Sequence, residues 1–145
     1  MKYQVFFKID TANIQIISIV RNPYYRIISD LFWFRLINKT SNQQEVYEKI
    51  MTILQKGHVK YDNHFLPQYL YITDANENLI NDIVILKTES LNSDMIKHGF
   101  DDFRNNHNIN RENVKNYDDY LNMDSIKAIN IFYEKDFRLF GYPMK

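Results

Sequence analysis

The stretch from Ile14 to Ser29, IQIISIVRNPYYRIIS, changes character at a single point and so constrains the topology around it. Ile14 to Val20 is almost continuously apolar and β-branched, the pattern of a strand covered on both faces in a parallel sheet. Asn22 is then a favoured N-cap and Pro23 a favoured first helical residue. One residue, Arg21, occupies the switch from strand to helix. In α/β sheets ligands gather beyond the carboxyl ends of the strands. The first turn of a helix adds unpaired N–H groups and the positive end of its dipole, which together favour an anion. Arg21 contributes a forked, permanently charged donor suited to phosphate oxygens. Ser29 lies about two helical turns beyond Asn22 and returns to the same side, which Arg26 shares. The candidate anion site is therefore Arg21, Arg26 and Ser29. The alternative leaves both arginines as surface residues and Ser29 as incidental.

The rest of the chain repeats the alternation of strand and helix. Tyr3 to Ile9 reads as a short strand. Pro23 to about Asn38 reads as one helix, apolar nearly all round and so either buried or covered by a partner. Asn42 and Glu45 have capping-box spacing and open a second helix, with Val46, Ile50, Ile53 and Leu54 as its inner stripe and Gly57 as its C-cap. Tyr69 to Ile72 and Ile83 to Leu86 read as strands. Ser93 to about Phe103 reads as a helix, and Asp124 to Phe137 as a final amphipathic helix. This order predicts an α/β architecture in a single domain spanning 1–145, with no repeat or linker to divide it.

Composition narrows the partners. The chain has 145 residues, with 18 basic and 18 acidic side chains that cancel. Neutrality argues against a general nucleic-acid or anionic-membrane surface. With no cysteine, disulfides, thiolate metal sites and cysteine nucleophiles are excluded. No stretch has the roughly 20 apolar residues of a membrane span, and the N-terminus lacks a signal-peptide pattern. The expectation is a cytoplasmic protein. His58, His98 and His107 show no metal-ligand spacing with carboxylates, and Asp101 and Asp102 read as a solvated turn, so no metal is expected.

The run RNPYYRIIS at 21–29 resembles the 3′-phosphate-binding motif of sulfotransferases that use 3′-phosphoadenosine 5′-phosphosulfate (PAPS). In that family an arginine at a strand end and a serine eight residues later grip the 3′-phosphate, which Arg21 and Ser29 match. Asp62, His64, Pro67 and Gln68 in DNHFLPQ are similar to the D-x-H-x-x-P-Q segment of carbohydrate-type members. KTESL at 87–91 is similar to the family's strand followed by Glu-x-Leu. YEKDFRLFGY at 133–142 is similar to its closing Tyr-x-x-Asp-Phe-x-x-Phe-Gly-Tyr. The resemblance implies a P-loop-NTPase-like sulfotransferase fold with a short parallel sheet flanked by helices. It also implies PAPS, or its product adenosine 3′,5′-bisphosphate, as ligand, and a carbohydrate hydroxyl as acceptor.

One segment departs from the pattern. The family places a loop with Lys-Thr or Lys-Ser and small residues after its first strand, cradling the 5′-phosphosulfate. Here Asp10-Thr11-Ala12-Asn13 follows Val5 to Ile9, without lysine or glycine, and the long helical stretch expected next is missing. The chain thus reads as a truncated version of the fold. Lys8 or another chain is then the source of the missing charge. His64, a side-chain type suited to proton transfer near neutral pH and placed in an irregular segment, is the candidate base, with structural ordering of its loop as the alternative. Asp62 is a candidate orienting group for His64, although an i, i+2 pair in extended backbone points to opposite faces. Glu89 is a candidate base or, more simply, an acceptor that fixes neighbouring backbone. Arg111 is a further candidate nucleotide contact. Tyr133, Asp136, Phe137, Phe140 and Tyr142 read as packing that ties the tail to the core. Three readings stay open: a PAPS-dependent sulfotransferase, a non-catalytic binding or assembly module that dimerises, or meets a partner chain, through helix 23–38, and a small α/β protein with no ligand.

Overall fold

The computed structural model describes residues 15–57, 60–103 and 116–145. The expected strand at Tyr3 to Ile9 lies outside these residues, as do Lys8, the 10–13 segment, His58, His107 and Arg111. Two short strands, β1 (Ile17–Val20) and β2 (Val84–Lys87), pair in parallel with Ile17 opposite Val84 and Val20 opposite Lys87. Five α-helices accompany them among the described residues: α1 (Pro23–Trp33), α2 (Gln43–Thr52), α3 (Leu91–Lys97), α4 (Met123–Phe132) and α5 (Glu134–Phe140). Among the described residues this is an α/β arrangement, a two-stranded parallel sheet flanked by helices.

The core forms around α1, because its apolar residues recur at helical spacing on one side. Tyr24, Ile27, Ile28 and Leu31 are fully buried, together with Val46 and Ile50 of α2, Ile129 of α4 and Phe137 of α5. Each such side chain contributes roughly 1.5–3 kcal/mol of burial. The Tyr24 and Phe137 rings meet at 4.9 Å. A smaller cluster of Val20, Ile72 and Phe140 packs at the sheet. The tail is thereby tied to the core.

Several element boundaries differ from the sequence reading. The helix expected over 23–38 ends at Trp33, where Arg35 turns left-handed (φ 56°). Leu36 N–H donates to Leu31 O and Arg35 N–H to Phe32 O, the closing bonds of a Schellman motif. The helix is not apolar all round either, since Arg26, Ser29 and Asp30 occupy its outer side. The strand expected at Tyr69 to Ile72 is a 3₁₀ turn, Gln68–Tyr71. The Asp136 carboxylate accepts the N–H groups of Gln68 (2.8 Å) and Tyr69 (2.9 Å), holding the backbone in a capped turn. The helix expected over 93–103 runs from Leu91 to Lys97 and is closed by Gly99 at φ 87°. The single helix expected over 124–137 is divided at Tyr133 (φ −106°, ψ 21°), whose buried hydroxyl donates to Phe65 O at 2.7 Å. Among the described residues strand β1 is covered on one face only: Ile19 is 51% exposed, while the next residue, Val20, is buried. The expected capping box at Asn42 and Glu45 is present, with both reciprocal hydrogen bonds.

Candidate functional site

The junction between β1 and α1 is held by side chains from three distant segments. Val20 O accepts from Thr88 Oγ1 at 3.0 Å. Arg21 makes a strand-like pair with Gln68, its N–H donating to Oε1 at 2.9 Å and its C=O accepting from Nε2 at 2.8 Å. Asn22 N–H donates to Glu89 Oε1 at 2.9 Å, and Glu89 Oε2 accepts from the Tyr142 hydroxyl at 2.8 Å. Asn22 Oδ1 caps α1 by accepting from Tyr24 N–H, and Pro23 fills the first helical position. Backbone groups that a strand end would leave unpaired are therefore satisfied, which fixes the position of the Arg21 Cα.

The Arg21 guanidinium lies over the Tyr117 ring at 5.5 Å and has no ion-pair partner among the described residues. Ser29 lies partly exposed on the outer side of α1. Arg26 is engaged elsewhere. Its guanidinium donates to Leu66 O at 2.6 Å and to His64 O, and it lies 3.9 Å from Asp30 Oδ2. The structure thus divides the three residues read as one anion site: Arg21 leans on Tyr117, and Arg26 ties α1 to the 64–66 loop.

That loop is held at four successive carbonyls. Asn63 O accepts from the Tyr71 hydroxyl at 2.7 Å, His64 O and Leu66 O from Arg26, and Phe65 O from Tyr133. Asp62 and Asn63 are both left-handed, with φ 51° and 62°, a conformation that costs non-glycine residues of order 1–3 kcal/mol and persists where surroundings over-determine it. The outcome is a rigid turn presenting His64, whose side chain is 46% exposed. Its ring stands edge-on to Phe34 at 5.2 Å, and Nδ1 lies 3.9 Å from Asp30 Oδ1. The carboxylate facing His64 thus belongs to Asp30, on α1. Burial raises the Asp30 carboxyl above the ordinary range, while Arg26, His64 and Arg21 pull it back. Asp136 is raised by burial as well, against the hydrogen bonds from Gln68 and Tyr69.

Glu89 is engaged on both oxygens with Asn22 and Tyr142, in line with an acceptor that fixes backbone. Sequence reasoning gave no role to Asp30, Gln68 or Tyr117. Asp30 had a signal, its i, i+4 spacing from Arg26 on a helix. Tyr117 had none. Among the described residues no cluster of three or more His, Asp or Glu side chains is arranged as metal ligands. No helix among them is long and apolar enough to cross a membrane.

A strand hands over to a capped helix, with segments 62–68, 87–91 and 133–142 gathered around the handover, in an α/β arrangement. The family model described as Sulfotransferase family matches residues 3–143, and the chain belongs to that family. No curated protein matches the chain, and no solved structure does.

Proposed function

We propose that the protein transfers a sulfuryl group from PAPS to a hydroxyl of a carbohydrate acceptor, the whole chain acting as one domain. The observation that carries this reading is the Arg21 guanidinium, which forms no ion pair among the described residues at a junction pinned by Gln68, Thr88 and Glu89. An unpaired guanidinium on a fixed backbone suits the 3′-phosphate, with the Ser29 hydroxyl as second donor. The acceptor oxygen attacks sulfur, the bond between sulfur and the 5′-phosphate oxygen breaks, and adenosine 3′,5′-bisphosphate leaves. His64 takes the acceptor proton, and Asp30 faces the imidazolium that forms. Arg26 serves by holding the His64 loop against α1. Family membership supports use of a sulfonate donor.

A specific feature favours a second reading. Residues 10–13 read Asp-Thr-Ala-Asn, where an enzyme of this kind needs lysine and backbone donors for the 5′-phosphosulfate. A chain that holds the 3′ end of the nucleotide without that clamp is a binding or assembly module. The test is calorimetric titration of adenosine 3′,5′-bisphosphate into wild type and Arg21→Ala. The enzyme reading expects binding that weakens about ten- to hundredfold in the variant, the range for lost charge-assisted hydrogen bonds. It also expects transfer from PAPS to a member of a glycan panel, with His64→Ala lowering turnover at least about a hundredfold. Binding without transfer favours the module. Absence of binding at millimolar ligand removes the 3′-phosphate site altogether.

A further inference from the structure

We infer that Tyr117 belongs to the anion site, as the residue that positions the Arg21 guanidinium while leaving its charge available. The inference rests on the reading of Arg21 as the 3′-phosphate ligand. The Arg21 Cζ lies 5.5 Å from the Tyr117 ring centroid, within the range in which a guanidinium is attracted to the ring quadrupole. The ring is itself held. Tyr25 meets it edge-on at 6.0 Å, and Phe32 lies near-parallel to it at 6.5 Å. Both come from α1, the helix whose N-terminus follows Arg21. Tyr117 opens a short 3₁₀ turn, Tyr117–Tyr120, with Asn116 Oδ1 accepting from Asp118 N–H. Tyr120 and Leu121 anchor that turn in the core, and Gln43 Nε2 donates to Asp119 O at 3.2 Å. The ring is thus a fixed surface against which a long, otherwise mobile side chain rests.

The chemical nature of this support matters. A carboxylate in the same place would orient Arg21 equally well, but it would occupy the guanidinium's donors and cancel the charge a phosphate needs. An aromatic face uses the flat side of the guanidinium. A guanidinium resting flat on such a face keeps its in-plane N–H groups available and its charge uncancelled by the support. Orientation without neutralisation is what an anion site demands of its arginine. Arg26, on α1, is the contrast, since its guanidinium donates to two carbonyls and Asp30 sits beside it.

The test is a double-mutant cycle read by calorimetry with adenosine 3′,5′-bisphosphate, using the full chain. Tyr117→Phe keeps the ring and should bind within about twofold of wild type. Tyr117→Leu removes it and should weaken binding about three- to thirtyfold, the range of a cation–π contact. On the Arg21→Ala background the same Tyr117→Leu change should cost less than about twofold. A general packing role for Tyr117 predicts an equal loss on both backgrounds, and that result would overturn the inference, as would full affinity in Tyr117→Leu. Should the leucine variant fail to fold by thermal melt, Tyr117→Met takes its place in the cycle. Failure of the underlying reading has a different signature: Arg21→Ala then binds the nucleotide as well as wild type.

Discussion

Asp30 stands between the Arg26 guanidinium, 3.9 Å from one carboxylate oxygen, and the His64 ring, 3.9 Å from the other, yet burial leaves its carboxyl harder to ionise than an exposed aspartate. A carboxyl raised in the folded state contributes stability that is complete below its ordinary value of 3.8 and is lost as pH rises through the raised value. Asp30→Asn removes that loss. The unfolding free energy of the variant, relative to wild type, should therefore increase as pH is raised from about 4. Urea titrations at a series of pH values check this. A relative stability that falls over that window would mean the ion pairs outweigh burial. Asp136 remains in both proteins and cancels in the comparison. The same substitution should slow transfer if His64 is the base, because the imidazolium then loses the carboxylate facing it.

At the level of elements, the end of α1 shows why some boundaries were legible and others were not. The α2 start was readable because Asn42 and Glu45 are a local signal, and both reciprocal bonds form. The α1 stop was not, because the left-handed position is occupied by Arg35 instead of glycine, and Leu36 and Ile37 continue the apolar spacing. Leu36 is the residue that closes the motif over Leu31. The break at Tyr133 had no local signal either: the residue where it falls is tied by its hydroxyl to Phe65, far away in sequence. The anion site divides the same way. Arg21 and its helix cap could be read from adjacent residues. The capture of Arg26 by the 64–66 carbonyls and the placing of Tyr117 depend on tertiary packing. Arg35→Gly tests the strain at the helix end. Relief of the left-handed penalty, offset by the entropy glycine loses on folding, should raise stability by about 0.5–1 kcal/mol. A higher urea midpoint with an unchanged slope is the expected result. A drop in midpoint would show that the arginine side chain makes a contact worth more than its strain.

Across the whole molecule, hydroxyls of buried or half-buried tyrosines fasten the tail to the segments around the candidate site. Tyr133 reaches the His64 loop through Phe65 O, and Tyr142 reaches the β1–α1 junction through Glu89. Both phenols are pushed far above the ordinary value of 10.0 by burial, and the Glu89 carboxylate adds to the effect at Tyr142. A phenol raised in this way supports the fold fully below pH 10 and loses that support as pH climbs further, since only the unfolded chain ionises readily. Alkali should therefore open the molecule cooperatively. The 11 tyrosines should titrate in two stages when followed by ultraviolet absorbance. Exposed phenols ionise first, and the buried ones follow in a step that coincides with loss of the far-ultraviolet circular dichroism signal. Tyr133→Phe removes one of the late phenols and with it part of the alkaline driving force, so its relative stability should improve above pH 10, although the lost bond to Phe65 O lowers its stability at neutral pH by about 1–3 kcal/mol. A smooth, single-stage titration with unchanged dichroism would show that the tail hydroxyls exchange freely with solvent, and the link from the last two helices to the Arg21 junction would then have to rest on the Asp136–Gln68 hydrogen bonds and the packing of Phe137 and Phe140.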